Sequence, residues 1–244
     1  MESRSLPGWG GPPLESTVVS SRKLTPHTHG IMVVKPGGFS FRPTQFTFLS
    51  LKTDAGTDVR PMSIATSPTR PNLEYAVRIS DSPFKRAFVS LRPGDSVTVQ
   101  GPFGRFVLKE DRPAVLLAGG VGITPLKGMA EYATDKALHI PLRLVYSNRS
   151  VDEIAYLAEL EELERRNPRL AVIHTLTGKA PKGWKGSVGR IGPKLLRDAV
   201  AGLDRPVYYV CGKTPMVAGM LRLLSEYGVP ESDVLLEVFR GYGS

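Results

Sequence analysis

The sequence predicts two domains, an antiparallel β domain followed by an α/β domain on a parallel sheet, and three observations carry that expectation. Residues 14–108 hold only short β-rich segments punctuated by tight turns. Beyond Glu110, short continuous apolar runs alternate with helix-length amphipathic segments, the pattern of a parallel sheet wrapped by helices. Two of those runs, AVLLAGGVGITPL and VYYVCGKTPM, are built alike: each passes from a buried strand through glycine into Thr-Pro and then a helix.

Met1 to Pro13 (MESRSLPGWGGPP) is rich in Gly, Pro and Ser and has no apolar stretch for a secretory signal, so it reads as a loose tail. Six strands follow: STVVSSRKL, GIMVVK, TQFTFLSL, DVRPMSIAT, LEYAVRIS and DSVTVQG. Connections such as KPGG, SPTRPN and RPGD separate them, which suggests an antiparallel barrel or sandwich with one helix, Pro83 to Leu91. The later strands are AVLLAGG, PLRLVYS, LAVIHTL, PVYYVCG and DVLLEVF. Helices are expected near Thr124–Ala133, Val151–Arg166, Gly192–Ala201 and Thr214–Tyr227. The boundary falls near Lys109 to Arg112, giving domains at 14–108 and 109–244.

Composition narrows the function classes. The chain has 244 residues, is 41% hydrophobic and has no run near the roughly 18 apolar residues of a membrane span. Its 32 basic against 23 acidic side chains give 32 − 23 = +9, which admits a nucleic acid, an anionic cofactor or an acidic protein as partner. No aromatic–basic stripe supports the first. The single Cys211 excludes an intramolecular disulfide, a multi-cysteine zinc site and a cysteine-held iron–sulfur cluster within the chain, and points to a reducing, cytoplasmic compartment. His27 and His29 share a strand face without a third ligand, so no metal site is expected.

Chemistry concentrates at the two repeated turns. In Gly119-Gly120-Val121-Gly122-Ile123-Thr124-Pro125 the glycines allow close approach of a pyrophosphate, and a helix start supplies open N–H groups. Thr124 and Thr214 suit the N-cap, with Pro125 and Pro215 at the first helical position. The next strand ends Ser147-Asn148-Arg149, with arginine where an acid would bind a ribose 2′-hydroxyl. That favours a 2′-phosphate, hence NADP over NAD, with Lys179 and Arg190 as further cations. Cys211, at the end of a buried strand, reads by itself as a small hydrophobe.

Five segments in order, RPMSIATSP, GPFGRF, AGGVGITPL, VCGKTPM and EVFRGY, are similar to the motif set of the ferredoxin-NADP reductase superfamily, across about Leu14 to Tyr242. The resemblance implies a Greek-key β-barrel binding FAD and a Rossmann-like domain binding NADPH. It implies that Arg60-Pro61-Met62-Ser63 meets the flavin. Arg60 would neutralise the pyrophosphate, Met62 would lie against the isoalloxazine where tyrosine or phenylalanine is usual, and Ser63 would bond near N5. Amides around Lys85, Arg86 and Ala87 would meet the FAD phosphates, in place of the family's Gly-x-x-Ser type sequence. Cys211 and Gly212 would sit beside the nicotinamide, Glu237 would be the active-site acid, and Phe239 and Tyr242 would cover the flavin or adenine. The implied activity is hydride transfer from NADPH to FAD, then electron transfer to a separate acidic carrier, ferredoxin or flavodoxin, steered by Lys85, Arg86 and Arg105. An NADH-using electron-transfer component of an oxygenase or dehydrogenase, an NAD(P)H-flavin reductase, a redox-silent flavin-binding regulator and a nucleic-acid module are the alternatives.

Overall fold

A computed structural model describes residues 11–239; Tyr242, the tail up to residue 10 and Trp9 within it lie outside the described residues. β1 (Leu14–Thr25), β2 (Thr28–Val34), β3 (Phe46–Thr53), β4 (Gly56–Ser63), β5 (Asn72–Arg78) and β6 (Ser96–Phe103) form one antiparallel sheet in the order β4-β3-β6-β1-β2-β5. The sheet curls until its outer strands meet, where the Ala65 N–H donates to Glu74 O at 2.8 Å. Alternation along the strands builds the barrel core: Ile31 and Val33, Leu49 and Leu51, Leu73, Tyr75 and Val77, Val97 and Val99 all turn inward. α1 (Pro83–Ser90) plugs the barrel with Phe84 and Phe88, each worth roughly 1.5–3 kcal/mol of burial.

From Ala114 the chain forms a second, wholly parallel sheet. β7 (Ala114–Gly119), α2 (Ile123–Asp135), β8 (Leu142–Asn148), α3 (Leu157–Arg166), β9 (Leu170–Leu176) and the short β10 (Ser187–Val188) build one side. α4 (Pro193–Val200), β11 (Val207–Lys213), α5 (Thr214–Glu226) and β12 (Val234–Phe239) build the other, in the order β10-β9-β8-β7-β11-β12. Both faces are covered, which is why the runs are continuously apolar. Leu116 and Ala118 of β7 pack with α2 and α3, while Val115 and Leu117 pack with α4 and α5. The direction of winding reverses between β7 and β11, and the crevice at their carboxyl ends is where such sheets bind ligands.

Three expectations are corrected and one short strand is added. The helix expected from Val151 is broken: a 3₁₀ turn at Val151–Glu153 leads to Tyr156 in the left-handed region at φ 62°, and α3 starts at Leu157. Ile154, Ala155 and Tyr156 are all buried, and three consecutive helical residues would fan over about 200°. β10 was not foreseen, a two-residue strand being too short for a periodic signal. Thr124 is no N-cap: Gly120–Gly122 forms a 3₁₀ turn running into α2, and the Thr124 hydroxyl donates back to Val121 O at 3.1 Å. Thr214 is likewise the first helical residue after Lys213, with no capping side-chain bond.

Candidate functional site

In the parallel sheet Ala118 of β7, Cys211 of β11 and Glu237 of β12 are register partners, side by side near the carboxyl ends. The turn after β7 folds over them. A Cβ on Gly122 would lie 2.4 Å from Cys211 O and 2.8 Å from Gly212 Cα, so only glycine lets the turn approach β11 this closely. Cβ atoms on Gly119 or Gly212 would meet Met216 Sδ at 2.7 and 2.5 Å, so the thioether sits in the notch between the two glycine turns. Gly120 takes φ +53°, and its carbonyl accepts a 3.0 Å bond from the Tyr146 hydroxyl.

The end of β4 delivers Ser63 to the same place. Its Oγ donates to Glu237 Oε1 at 2.5 Å, joining residues 174 apart in sequence. Although Glu237 as a residue is only partly buried, its Oε2 is buried and lacks a hydrogen-bond partner among the described residues. Burial pushes this carboxyl up to about 7, against the opposing pull of the Ser63 bond. Cys211 is fully buried, and its thiol is raised well above its usual range by desolvation and then by the charge of Glu237. It is therefore a neutral thiol at physiological pH rather than a nucleophile. Together these residues can hold a proton near neutrality beside an oriented hydroxyl.

A cleft of about 570 Å³ opens beside them, lined by Gly120, Asn148, Arg149, Arg190, Lys213 and Met216 among others. Asn148 Nδ2 is buried there without a partner among the described residues. Bonds from Thr177 N to Asn148 O (2.8 Å) and from Gly178 N to Arg149 O (2.9 Å) tie the loops after β8 and β9 together. Lys179 lies just past this tie and is not among the residues that line the cleft. Two cations were missed. Lys213 stood inside the quoted VCGKTPM, and Arg78, 3.5 Å from Glu153, reaches the cleft from the barrel. Lys85 is close by: burial first, then the charges of Lys213 and Arg78, lower the pKa of its ammonium.

The expected flavin motif is distributed along β4 and α1. Arg60 bonds Asp58 at 2.9 Å and lies 6.0 Å over the ring of Phe84 in the first turn of α1. Met62 turns into the barrel core with 9% exposure, while Pro61 faces outward. Arg86 already gives its N–H to Ser82 O (3.0 Å) and its guanidinium to Asp81, so Phe84 and Lys85, ahead of it, carry the open amides of the helix start, and Ala87 lies one residue deeper. Arg105 lies apart, in a groove with Arg42 and Lys109. Phe239 pairs with Lys213 in register and packs on the α2-side core. A cation beside an uncapped helix start, and an orphaned carboxylate oxygen beside Ser63, fit the phosphate and ring ends of a flavin nucleotide.

Comparison with known proteins finds similar sequences and a shared fold. The family model described as the oxidoreductase NAD-binding domain matches residues 116–222. A Na(+)-translocating NADH-quinone reductase component of Klebsiella pneumoniae is 36% identical over 160 residues, covering 62% of this chain and 39% of that protein. The propane 2-monooxygenase reductase component of Mycolicibacterium goodii is 27% identical, covering 94% of this chain and 69% of its own. The chain thus spans less than half the length of the NADH-quinone reductase relatives it matches. A ferredoxin NADP+ reductase of Neisseria gonorrhoeae, solved with bound FAD and NADP, superposes with TM-score 0.80 at 20% identity, covering 93% of this chain and 98% of that one. Among the described residues no helix is long and apolar enough to cross a membrane. With a six-stranded antiparallel barrel, a doubly covered parallel sheet and a glycine-turn crevice beside them, the chain has the two-domain fold of ferredoxin-NADP reductases, and residues 116–222 are similar to the oxidoreductase NAD-binding domain.

Proposed function

We propose that this chain is an FAD-dependent reductase that takes hydride from NADPH and passes electrons singly to a separate acidic carrier, a ferredoxin or flavodoxin. The observation that carries this reading is the convergence of Ser63, Cys211 and Glu237 beneath the glycine turn, whose Gly119 and Gly120 line the cleft shared with Arg149 and Arg190. Bound FAD would supply the two-electron to one-electron conversion, which no side chain here can perform. Arg60 and the start of α1 would hold its phosphates, and the Ser63 hydroxyl would orient its ring. Gly120 and Gly122 would admit the nucleotide pyrophosphate to the start of α2, Asn148 Nδ2 offers an unused donor to the nucleotide, and the neutral, buried Cys211 and Gly212 would exclude water from the reacting carbon. Glu237, titrating near 7, would hold or release a proton at Oε2 as the carrier is served.

Arg149 and Arg190 favour the 2′-phosphate of NADPH. One observation supports a second reading, an NADH-using reductase component of an oxygenase: Glu153 places a carboxylate in the same cleft, where a ribose 2′-hydroxyl could be bound. Anaerobic stopped-flow reduction with both nucleotides separates the two. Losing one charge-assisted phosphate bond should cut the NADPH preference of Arg149→Ala by about 10- to 100-fold. An NADH preference that persists unchanged in Arg149→Ala sinks the NADPH reading.

A further inference from the structure

α2 does more than present the glycine turn. Lys127, Glu131 and Asp135 recur every four residues and so share one face, with Gly128 beside them. That face lies on the barrel segment just past Ser63. A Cβ on Gly128 would come within 3.0 Å of Thr66 O and 3.2 Å of Ile64 O, so the helix rests directly on this backbone. Glu131 accepts from Ser67 N at 2.7 Å, and Asp135 accepts from Thr69 Oγ1 at 2.5 Å and from Arg70 at 2.9 Å.

At the head of the stripe Lys127 Nζ donates to Glu74 Oε2 at 2.9 Å, with exposures of 4% and 2%. Glu74 is itself fastened to the flavin motif. Its N–H donates to Thr66 Oγ1 at 3.2 Å, and its carbonyl accepts from Ala65 N at 2.8 Å. Arg22 holds the other carboxylate oxygen at 3.1 Å and reaches on to Glu159 of α3, while the Lys127 ammonium lies 5.0 Å over the Tyr156 ring. A buried ion pair is a poor way to gain stability, since desolvation offsets most of the attraction. It is a good way to fix a distance, because each charge has one low-energy position.

We propose that Lys127 and Glu74 are positioning residues whose buried pair sets the separation between the barrel segment at 63–67 and the glycine turn at 119–122. Resting on the functional reading above, this pair thereby sets the distance from flavin to nicotinamide. Lys127→Met should speed amide exchange at residues 64–67 and in the first turns of α2 by about tenfold, with α4 and α5 unchanged, in the cofactor-free protein. In the FAD-loaded protein the limiting rate of flavin reduction should fall roughly 10- to 100-fold. Nucleotide affinity should stay within about threefold, so the loss is in the step and not in binding. The double variant Lys127→Met/Glu74→Met should recover the melting temperature but not the rate; Glu74→Gln, which leaves Arg22 its partner, gives the same comparison where Lys127→Met does not fold. Wild-type reduction and exchange in Lys127→Met, or full recovery of rate in the double variant, overturns the proposal. A wild-type protein that neither nucleotide reduces overturns the functional reading instead, and the exchange measurement still decides whether the pair fixes the two halves.

Discussion

Glu237 sits in an environment far from that of a solvated carboxylate. Its carboxyl titrates near 4.5 when solvated and about 7 in the fold, because burial disfavours the anion. Below 4.5 both states hold the proton, and above 7 neither does. Between the two only the folded chain stays protonated, so its stability falls as pH rises through that window and levels off above it. Melting temperatures from about pH 4 to about pH 8 should show this decline in the wild type and its absence in Glu237→Gln. A variant that follows the wild-type curve would place the titration elsewhere. Motif order named both Ser63 and Glu237, but nothing in the spacing of residues 174 apart shows that they touch. Arg78 escaped notice for a related reason: it belongs to a barrel strand, and only the packing of the two halves carries it to the nucleotide cleft.

At the scale of elements, the glycine turn divides its glycines by task. Gly120 supplies a left-handed φ with nothing within 4 Å of a notional Cβ, whereas Gly122 supplies close approach to the backbone of β11. Gly120→Ala should therefore cost only the conformational penalty of about 1–2 kcal/mol. Gly122→Ala must push the turn off Cys211, an overpacking cost of about 1–3 kcal/mol or more that also displaces the cleft. Thermal melts with nucleotide titration should show a modest loss of melting temperature and weakened but measurable binding in the first, and a larger loss with abolished binding in the second. Equal behaviour would mean that the turn yields without moving β11. Most strands and helices were legible because burial on one or two faces leaves a period in the sequence. The start of α3 was not, since a short kinked run and a helical turn share the same apolar letters. The Thr124 cap failed because glycines read as loop here form a 3₁₀ turn that extends the helix backward.

At the scale of the whole molecule, one core crosses from barrel to sheet. Ala65 and Ala76 of the barrel, and Phe106 and Leu108 of the connecting segment, pack in the same cluster as Leu116, Met129 and Tyr209. Tyr209 is the hinge pin. Its ring meets Phe106 edge-on at 5.6 Å, and its hydroxyl accepts from Lys109 N at 2.8 Å while donating to Val107 O at 3.3 Å. Burial raises this phenol to about 12, so it stays a neutral donor across the working range of pH. Tyr209→Phe keeps the ring and strips two backbone groups of their partner, a loss of about 1–3 kcal/mol. For a chain of this size that lowers the melting temperature by about 3 to 10 °C. The shared core should make the wild type unfold in a single calorimetric transition, because neither half can open without exposing the other. Freed from Tyr209, the connecting segment no longer transmits that requirement, and the transition of the variant should broaden or split as the barrel and the sheet melt apart. A Tyr209→Phe protein with one sharp transition at the wild-type temperature would shift the coupling to the ion pairs along α2.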